Sequence, residues 1–212
     1  MSEGSAPERP GRRELKKLAT REAIRAAAVR LAVAHGVEPV TVERIADEAD
    51  VSLRTFFNHF SSKEEAVFAA AETRANELVA EFRRRPAQES VLQAVREAAV
   101  TVLGRADPLG DDHLVALRLI RRTPALLARQ MVVLTTQERA LAAAIADRLG
   151  PDPTEADHRY AMLCAATSLT ALRIALDRWL DADGPAPERA DALRAEIDAV
   201  LGDLGRGIDR PS

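Results

Sequence analysis

The chain is predicted to be all-α: a small N-terminal helix-turn-helix unit followed by a larger helical bundle. Three observations carry that expectation. Alanine occurs 41 times and leucine 24 times in 212 residues, so strong helix formers dominate. Aromatic residues make up only 3%, five Phe, one Tyr and one Trp. That shortage argues against a β-sandwich or barrel, and against binding single-stranded nucleic acid by stacking bases on exposed rings. Finally, apolar residues recur at helical spacing between Gly and Pro breaks, giving roughly nine helices with the short connections usual in bundles.

In chain order, residues 1–11 (Ser, Gly, Pro and charges) read as a disordered arm. Leu15, Leu18, Ile24, Ala27, Ala28 and Leu31 then mark a helix from about Glu14 to Ala34, with Gly36 as its C-cap. Val42, Ile45, Ala46 and Ala49 form one face of a short second helix, and Asp50-Val51-Ser52 interrupts it. Ser52 is an N-cap for a third helix over LRTFFNHF. Ser62 and Glu65 read as a capping box opening a long helix that Pro86 stops near Arg85. Helices are expected over Gln88–Gly104 and Asp111–Arg122, then from Thr123-Pro124 to Leu149 with Thr as N-cap and Pro at N1. Thr154 and Asp157 begin the next helix, to about Asp183, and a last one runs from about Glu188 to Leu204. The domain boundaries implied are 1–11 arm, 12–62 helix-turn-helix, 63–205 bundle and 206–212 tail.

One cysteine excludes an internal disulfide framework and a multi-thiolate metal site. The first twenty residues hold no apolar h-region, and the longest apolar run, Ala161 to Leu172, falls short of a membrane span. A soluble, cytoplasmic protein is therefore expected. Net charge is −3, but residues 1–63 carry 11 Lys/Arg against 9 Asp/Glu, and residues 10–35 carry 7 against 2. A basic front end on an acidic chain points to polyanion contact.

Two helices of about seven residues joined by a three-residue turn have the dimensions of a DNA-binding helix-turn-helix. Phe56 and Phe60, four apart, share the inner face of the third helix and can pack on Leu31, Ile45 and Ala46. Leu53, Arg54, Phe57 and Asn58 then face outward, a mix suited to base edges and methyl groups. The run TVERIADEADVSLRTFFNHFSSKEEAVF, with GRRELKKLATREAIRAAAVRLAVAHGV before it, resembles the DNA-binding domain of TetR-family transcriptional regulators over about residues 11–68. The resemblance implies that Thr41 caps the second helix and bonds a phosphate, with Arg44 nearby. It places Ser52, Leu53, Arg54 and Thr55 at the tip of a recognition helix in the major groove. Phe57 and Asn58 would line the groove, and His59 and Lys63 would reach phosphates. Tyr is frequent in the family where this chain has Phe57, so a phosphate-bonding hydroxyl is missing there and packing or methyl contact takes its place. Glu43 could accept from cytosine N4. Arg12, Arg13, Lys16 and Lys17 read as a flexible basic arm able to enter the minor groove.

The family resemblance further implies a homodimer in which the last two helices pack on their copies, binding a palindromic DNA operator. Ala165, Ala166, Ser168, Ala171 and Ala175 would allow close helix approach, and Leu193, Ile197, Val200, Leu201 and Leu204 form a stripe equally suited to an intrachain core. The middle helices would enclose an effector pocket, with His113, Leu117, Arg118, Met131, Leu134, Tyr160, Cys164 and Trp179 as candidate lining. The cationic group Arg118, Arg121 and Arg122 could hold an anionic head group. LRLIRRTPALLARQM and ALDRWL resemble regulators related to the mycofactocin regulator, which implies acyl-CoA or another amphipathic compound as effector. No metal or cofactor is expected, since no spacing fixes His113, Asp111, Asp112 and His158 as a ligand set. No nucleophile, phosphate-loop or metallohydrolase motif appears, so an all-α enzyme is the less favoured class, beside a DNA-binding protein without effector.

Overall fold

The computed structural model describes residues 11–103, 119, 121, 123–182 and 186–207. The chain divides into two compact units, Met1–Ala69 and Ala70–Ser212. Among the described residues there are eight helices and no strand: α1 (Arg12–His35), α2 (Val42–Glu48), α3 (Leu53–His59), α4 (Lys63–Arg84), α5 (Val91–Leu103), α6 (Pro124–Leu149), α7 (Glu155–Asp181) and α8 (Ala186–Arg206). Of the helix expected over 111–122, only Leu119 and Arg121 lie within the described residues, and of the arm expected over 1–11 only Gly11 does.

The first unit forms around α1. The Gly11 carbonyl accepts the N–H groups of Glu14 and Leu15 at 2.8 and 3.1 Å, so the helix begins at Arg12. Arg12, Arg13, Lys16 and Lys17 are therefore the first two turns of a helix, not a flexible arm, because this stretch of Arg, Glu, Leu and Lys has high helix propensity. At the other end Gly36 has φ +82° and ψ 163°, a conformation close to glycine-only, and its N–H closes on the Ala32 carbonyl. Thr41 caps α2 by accepting the Arg44 N–H, and Ser52 caps α3 by accepting the Thr55 N–H. Between them Asp50 adopts φ 53°, tolerated by a short polar side chain, and lets the Val51 N–H return to the Ala46 carbonyl at 2.9 Å. A seven-residue helix has no stability of its own, so α2 and α3 depend on what they bury. Ile24, Leu31, Val40, Ile45, Ala46, Phe56, Phe60 and Val67 form that core. The cap of α4 is half of the expected box. Ser62 accepts the Glu65 N–H, but the Glu65 carboxylate reaches the N–H and hydroxyl of Ser61 instead of turning back to Ser62.

The second unit is built on α6 and α7, which pack along their lengths, with α8 on α7 and α5 against both α7 and α8. α5 starts at Val91, later than Gln88, because residues 86–89 form a turn and the Ser90 hydroxyl caps the helix. Thr123 precedes Pro124 as expected, yet its hydroxyl makes no cap bond, so the fixed proline φ starts α6 alone. Thr154 and Asp157 form a complete capping box, and its two bonds to the carboxylate hold Asp157 below the usual carboxylate range. Phe82, Leu141, Ile145, Trp179 and Ile197 supply bulk to the core, and alanines fill the close approaches between them. Arg148 lies over the Phe82 ring and donates to the carbonyls of Arg85, Pro86 and Glu89, fastening the α4–α5 connection. Arg96 and Asp198 join α5 to α8 through two bonds of 2.6 and 2.9 Å.

Two expectations about α7 change. Ala165, Ser168, Ala171 and Ala175 are buried within the chain, as are Leu193, Ile197 and Leu201 of α8, so these residues serve the intrachain core. The faces left uncovered are different ones: Tyr160, Leu163, Thr167, Thr170 and Ile174 on α7, and Ala192, Ala195 and Ala199 on α8. α7 is also long and apolar enough by length and composition to cross a membrane, a feature the count of uninterrupted apolar residues does not show. Its Ala, Thr and Ser contribute to that average, and one side of it is the core just described.

Phe56 is wholly buried and Phe57 is 57% exposed, their rings meeting edge to face at 5.5 Å. Phe56→Ala should therefore cost about 3–5 kcal/mol in urea denaturation. Phe57→Ala loses chiefly the ring–ring contact and should cost ~1 kcal/mol. Equal costs would contradict the orientation of α3.

Candidate nucleic-acid interface

α3 turns Phe56 and Phe60 inward, so the helical repeat turns Leu53, Arg54, Phe57 and Asn58 outward, and all four are exposed. Ser52 is exposed beside them, and its hydroxyl is 2.9 Å from that of half-buried Thr55. The free N-terminal N–H groups and this hydroxyl pair make a polar tip on a helix whose first turn has no acidic residue. Phe57 thus points largely to solvent while its ring keeps an edge contact with Phe56. Thr41 and Arg44 are exposed at the start of α2, and Arg44 donates to His35 Nε2 at 2.9 Å. Glu43 is exposed on the same turn.

Lys63 and His59 are more engaged than their residue types announce. Lys63 Nζ donates to the carbonyls of Glu38 and Val40, both at 2.8 Å, which ties the start of α4 to the loop before α2. His59 closes α3, and its carbonyl accepts from Arg21 at 2.6 Å. The same guanidinium lies 4.2 Å from the centre of the Phe60 ring. Arg21 is the residue that sequence reasoning missed. It was visible only as one of several cations on α1, and nothing local shows that it meets the far end of α3. His59 Nδ1 is buried without a hydrogen-bond partner. Burial first, then the charges of Arg21 and Lys17, hold the imidazole below its ordinary value of 6.5.

Of the candidate effector residues, His113, Leu117 and Arg118 lie outside the described residues, as do Asp111, Asp112 and Arg122. Trp179 is buried in the core of the second unit, while Leu134 and Cys164 are partly buried against it. Met131 and Tyr160 are exposed. The neighbouring Cys164 thiol, together with partial burial, raises the Tyr160 phenol above its usual range. Arg121 is bound to two carboxylates, Asp177 and Asp181, each at 3.1 Å, so its charge is already compensated. His158 is exposed on α7.

The depressed His59 value has a pH consequence. Below pH 6.5 the unfolded chain takes up a proton that the folded state resists, so stability must fall as pH falls through that window. Thermal unfolding from about pH 7.5 to about pH 5.5 should show a smaller drop in Tm for His59→Gln than for the wild type. Parallel pH profiles would show that His59 makes no such contribution.

The sequence matches the family model for bacterial regulatory proteins of the tetR family over residues 24–70, and the MftR C-terminal domain over residues 89–208. It is 34% identical to the HTH-type transcriptional regulator TcmR of Streptomyces glaucescens, over 98% of this chain and 94% of that protein. It is 27% identical to MftR of Mycobacterium tuberculosis, named for regulation of mycofactocin biosynthesis, over 86% of this chain and 88% of that one. Among solved structures it resembles SmeT, the repressor of the Stenotrophomonas maltophilia multidrug efflux pump SmeDEF. The TM-score is 0.57 at 17% identity, over 92% of this chain and 96% of that one, which speaks to the fold. A capped seven-residue α3 with a mixed polar and apolar outward face, two matched domain models and near full-length similarity to TcmR lead to one conclusion: the chain belongs to the TetR family of bacterial transcriptional regulators.

Proposed function

We propose that the protein is a cytoplasmic homodimeric repressor that holds a palindromic operator and releases it when a small amphipathic effector binds the second unit. The observation that carries the DNA-binding part is the outward face of α3. Arg54 and Asn58 offer hydrogen bonds to base edges, and Leu53 and Phe57 offer apolar contact to thymine methyl groups. In this reading Thr41, Arg44, Ser52, Thr55, His59 and Lys63 serve the backbone, where hydroxyls, cations and helix N-termini suit phosphate oxygens. The protein acts by binding and carries out no catalysis.

The uncovered faces of α7 and α8 support the dimer. Tyr160, Leu163 and Ile174 expose apolar surface at heptad-like spacing, and the alanines of α8 allow close approach. A two-fold dimer would carry two α3 helices, one for each half-site of a palindromic operator. The effector then acts by favouring a conformation with a different spacing, and it shifts the population only by its difference in affinity for the two. Likeness to TcmR supports transcriptional regulation, and likeness in fold to SmeT, a repressor with a known triclosan complex, supports repression relieved by a small molecule.

The direct test is footprinting and gel shift on the DNA flanking the gene, at stated salt; absence of a saturable, specific complex would overturn the reading. Within that assay Arg54→Ala should relax preference at particular base pairs by ~1–3 kcal/mol. Lys63→Ala should weaken every sequence alike and flatten the salt slope by about 1. An unchanged slope would leave Lys63 only its bonds to Glu38 and Val40. Leu163→Asp should give monomers by light scattering and lose operator affinity; a dimeric Leu163→Asp protein would place the interface elsewhere.

A further inference from the structure

Two side chains in the second unit are polar, buried and short of a hydrogen-bond partner. Gln137 on α6 is 4% exposed and Ser168 on α7 is 0% exposed. Neither the Gln137 Oε1 nor the Ser168 Oγ has a partner. Such atoms are rare, because burial removes their water and nothing replaces it, so a group that completes them is to be expected. Both stand about three and a half turns, roughly 18–20 Å, from the connection of α6 and α7, so along this antiparallel helix pair they lie at a similar level.

The Gln137 amide does not lack an anchor. Its Nε2 donates to Asn76 Oδ1 on α4 at 2.8 Å, which fixes the amide plane and leaves the carbonyl oxygen as the open position. Asn76 itself is exposed, so the polar pair leads from the surface of α4 to a buried acceptor on α6. Around it the chain is apolar: Val133 and Leu141 lie one turn to either side of Gln137, and Leu169 adjoins Ser168. Among the described residues Arg129 and Arg121 have carboxylate partners, although Arg129 Nε is a third buried polar atom of this unit without a hydrogen-bond partner. Arg129, two turns before Gln137, pairs with Glu72, one turn before Asn76, at 3.5 Å. Arg121 pairs with Asp177 and Asp181.

A buried acceptor discriminates among ligands. A carboxylate, a phosphate or an ether brings only lone pairs to Gln137 Oε1, whereas a hydroxyl brings the missing proton. We propose that Gln137, oriented by Asn76 and accompanied by Ser168, forms the polar end of the effector site and selects a neutral hydroxyl-bearing ligand with an otherwise apolar body. This rests on the effector-responsive reading above and names its ligand class. It differs from an anionic head group held by Arg118, Arg121 and Arg122, of which only Arg121 lies within the described residues. A site built to receive a hydroxyl discriminates strongly against the analogue lacking it, because the buried acceptor is then left unpaired.

Three biphenyls that differ in one substituent test the proposal on the full-length protein. 4-Phenylphenol donates, 4-methoxybiphenyl only accepts, and biphenyl-4-carboxylate is an anion. In thermal-shift titrations 4-phenylphenol should stabilise the wild type saturably, at about tenfold lower concentration than either analogue. Gln137→Leu should remove that preference, binding phenol and ether alike. Asn76→Ala, at an exposed position where the fold is not at stake, should weaken the preference by several-fold by freeing the amide to turn. Equal binding of phenol and ether by the wild type overturns the proposal, as do a preference for the carboxylate and the absence of saturable phenol binding. A Gln137→Leu protein that retains the full preference overturns it too, since a buried water could then account for the orphaned acceptor. Operator binding by the same preparation without ligand separates the two readings. Protein that binds DNA but not the phenol defeats this inference alone, and phenol selectivity without DNA binding defeats the regulator reading alone.

Discussion

The burial of Phe56 and Phe60 beneath α3 is the constraint on which the DNA-binding unit depends. Seven residues cannot hold a helix in water, because too few hydrogen bonds form to offset the cost of nucleation. α3 exists because two rings on one of its faces leave water together, against Ile24, Leu31, Ile45 and Ala46. That single burial also aims the helix. With Phe56 and Phe60 inward, the 100° step between residues leaves no freedom in which side chains face out. Arg21 secures the end of the arrangement, lying on the Phe60 ring while it donates to the His59 carbonyl. Packing, orientation and the outward chemistry are thus one feature seen from different sides.

The second unit solves a different problem by different means. Its helices are long, from 13 to 27 residues, and they need few large rings because alanine lets their backbones come close. Polar connections then set the register between helices: Arg96 with Asp198, Arg178 with Glu196, and Arg148 with three backbone carbonyls. Against that well-satisfied background Gln137 and Ser168 are conspicuous. In a core where most polar groups are matched, such atoms are where the proposed effector finds its polar contacts.

Local chemistry made much of this legible in advance. Gly36, Thr41, Ser52, Thr154 and Pro124 mark helix ends because caps and breaks act through the nearest few residues. The outward set on α3 follows from the spacing of two phenylalanines. Where the reading failed, a competing partner lay far away in sequence or in another helix. The stripe on α8 and the alanines of α7 fit a subunit interface or an intrachain core equally well by periodicity, and the packing of α8 on α7 selects the core. Arg121 looked like a free cation because Asp177 and Asp181 lie more than fifty residues away. Lys63 has, besides the phosphate role proposed for it, two backbone partners in the loop before α2 that its residue type does not announce.

Sequence by itself therefore determined the fold class, the helix-turn-helix and the residues that α3 presents, since each rests on interactions within one or two turns of chain. Only the tertiary structure decided which side chains are already spoken for. Whether a lysine, an arginine or a glutamine is available to a ligand depends on burial and on partners brought together by folding. Those are properties of the packed molecule, which is why Arg21 and Gln137 came into view only there.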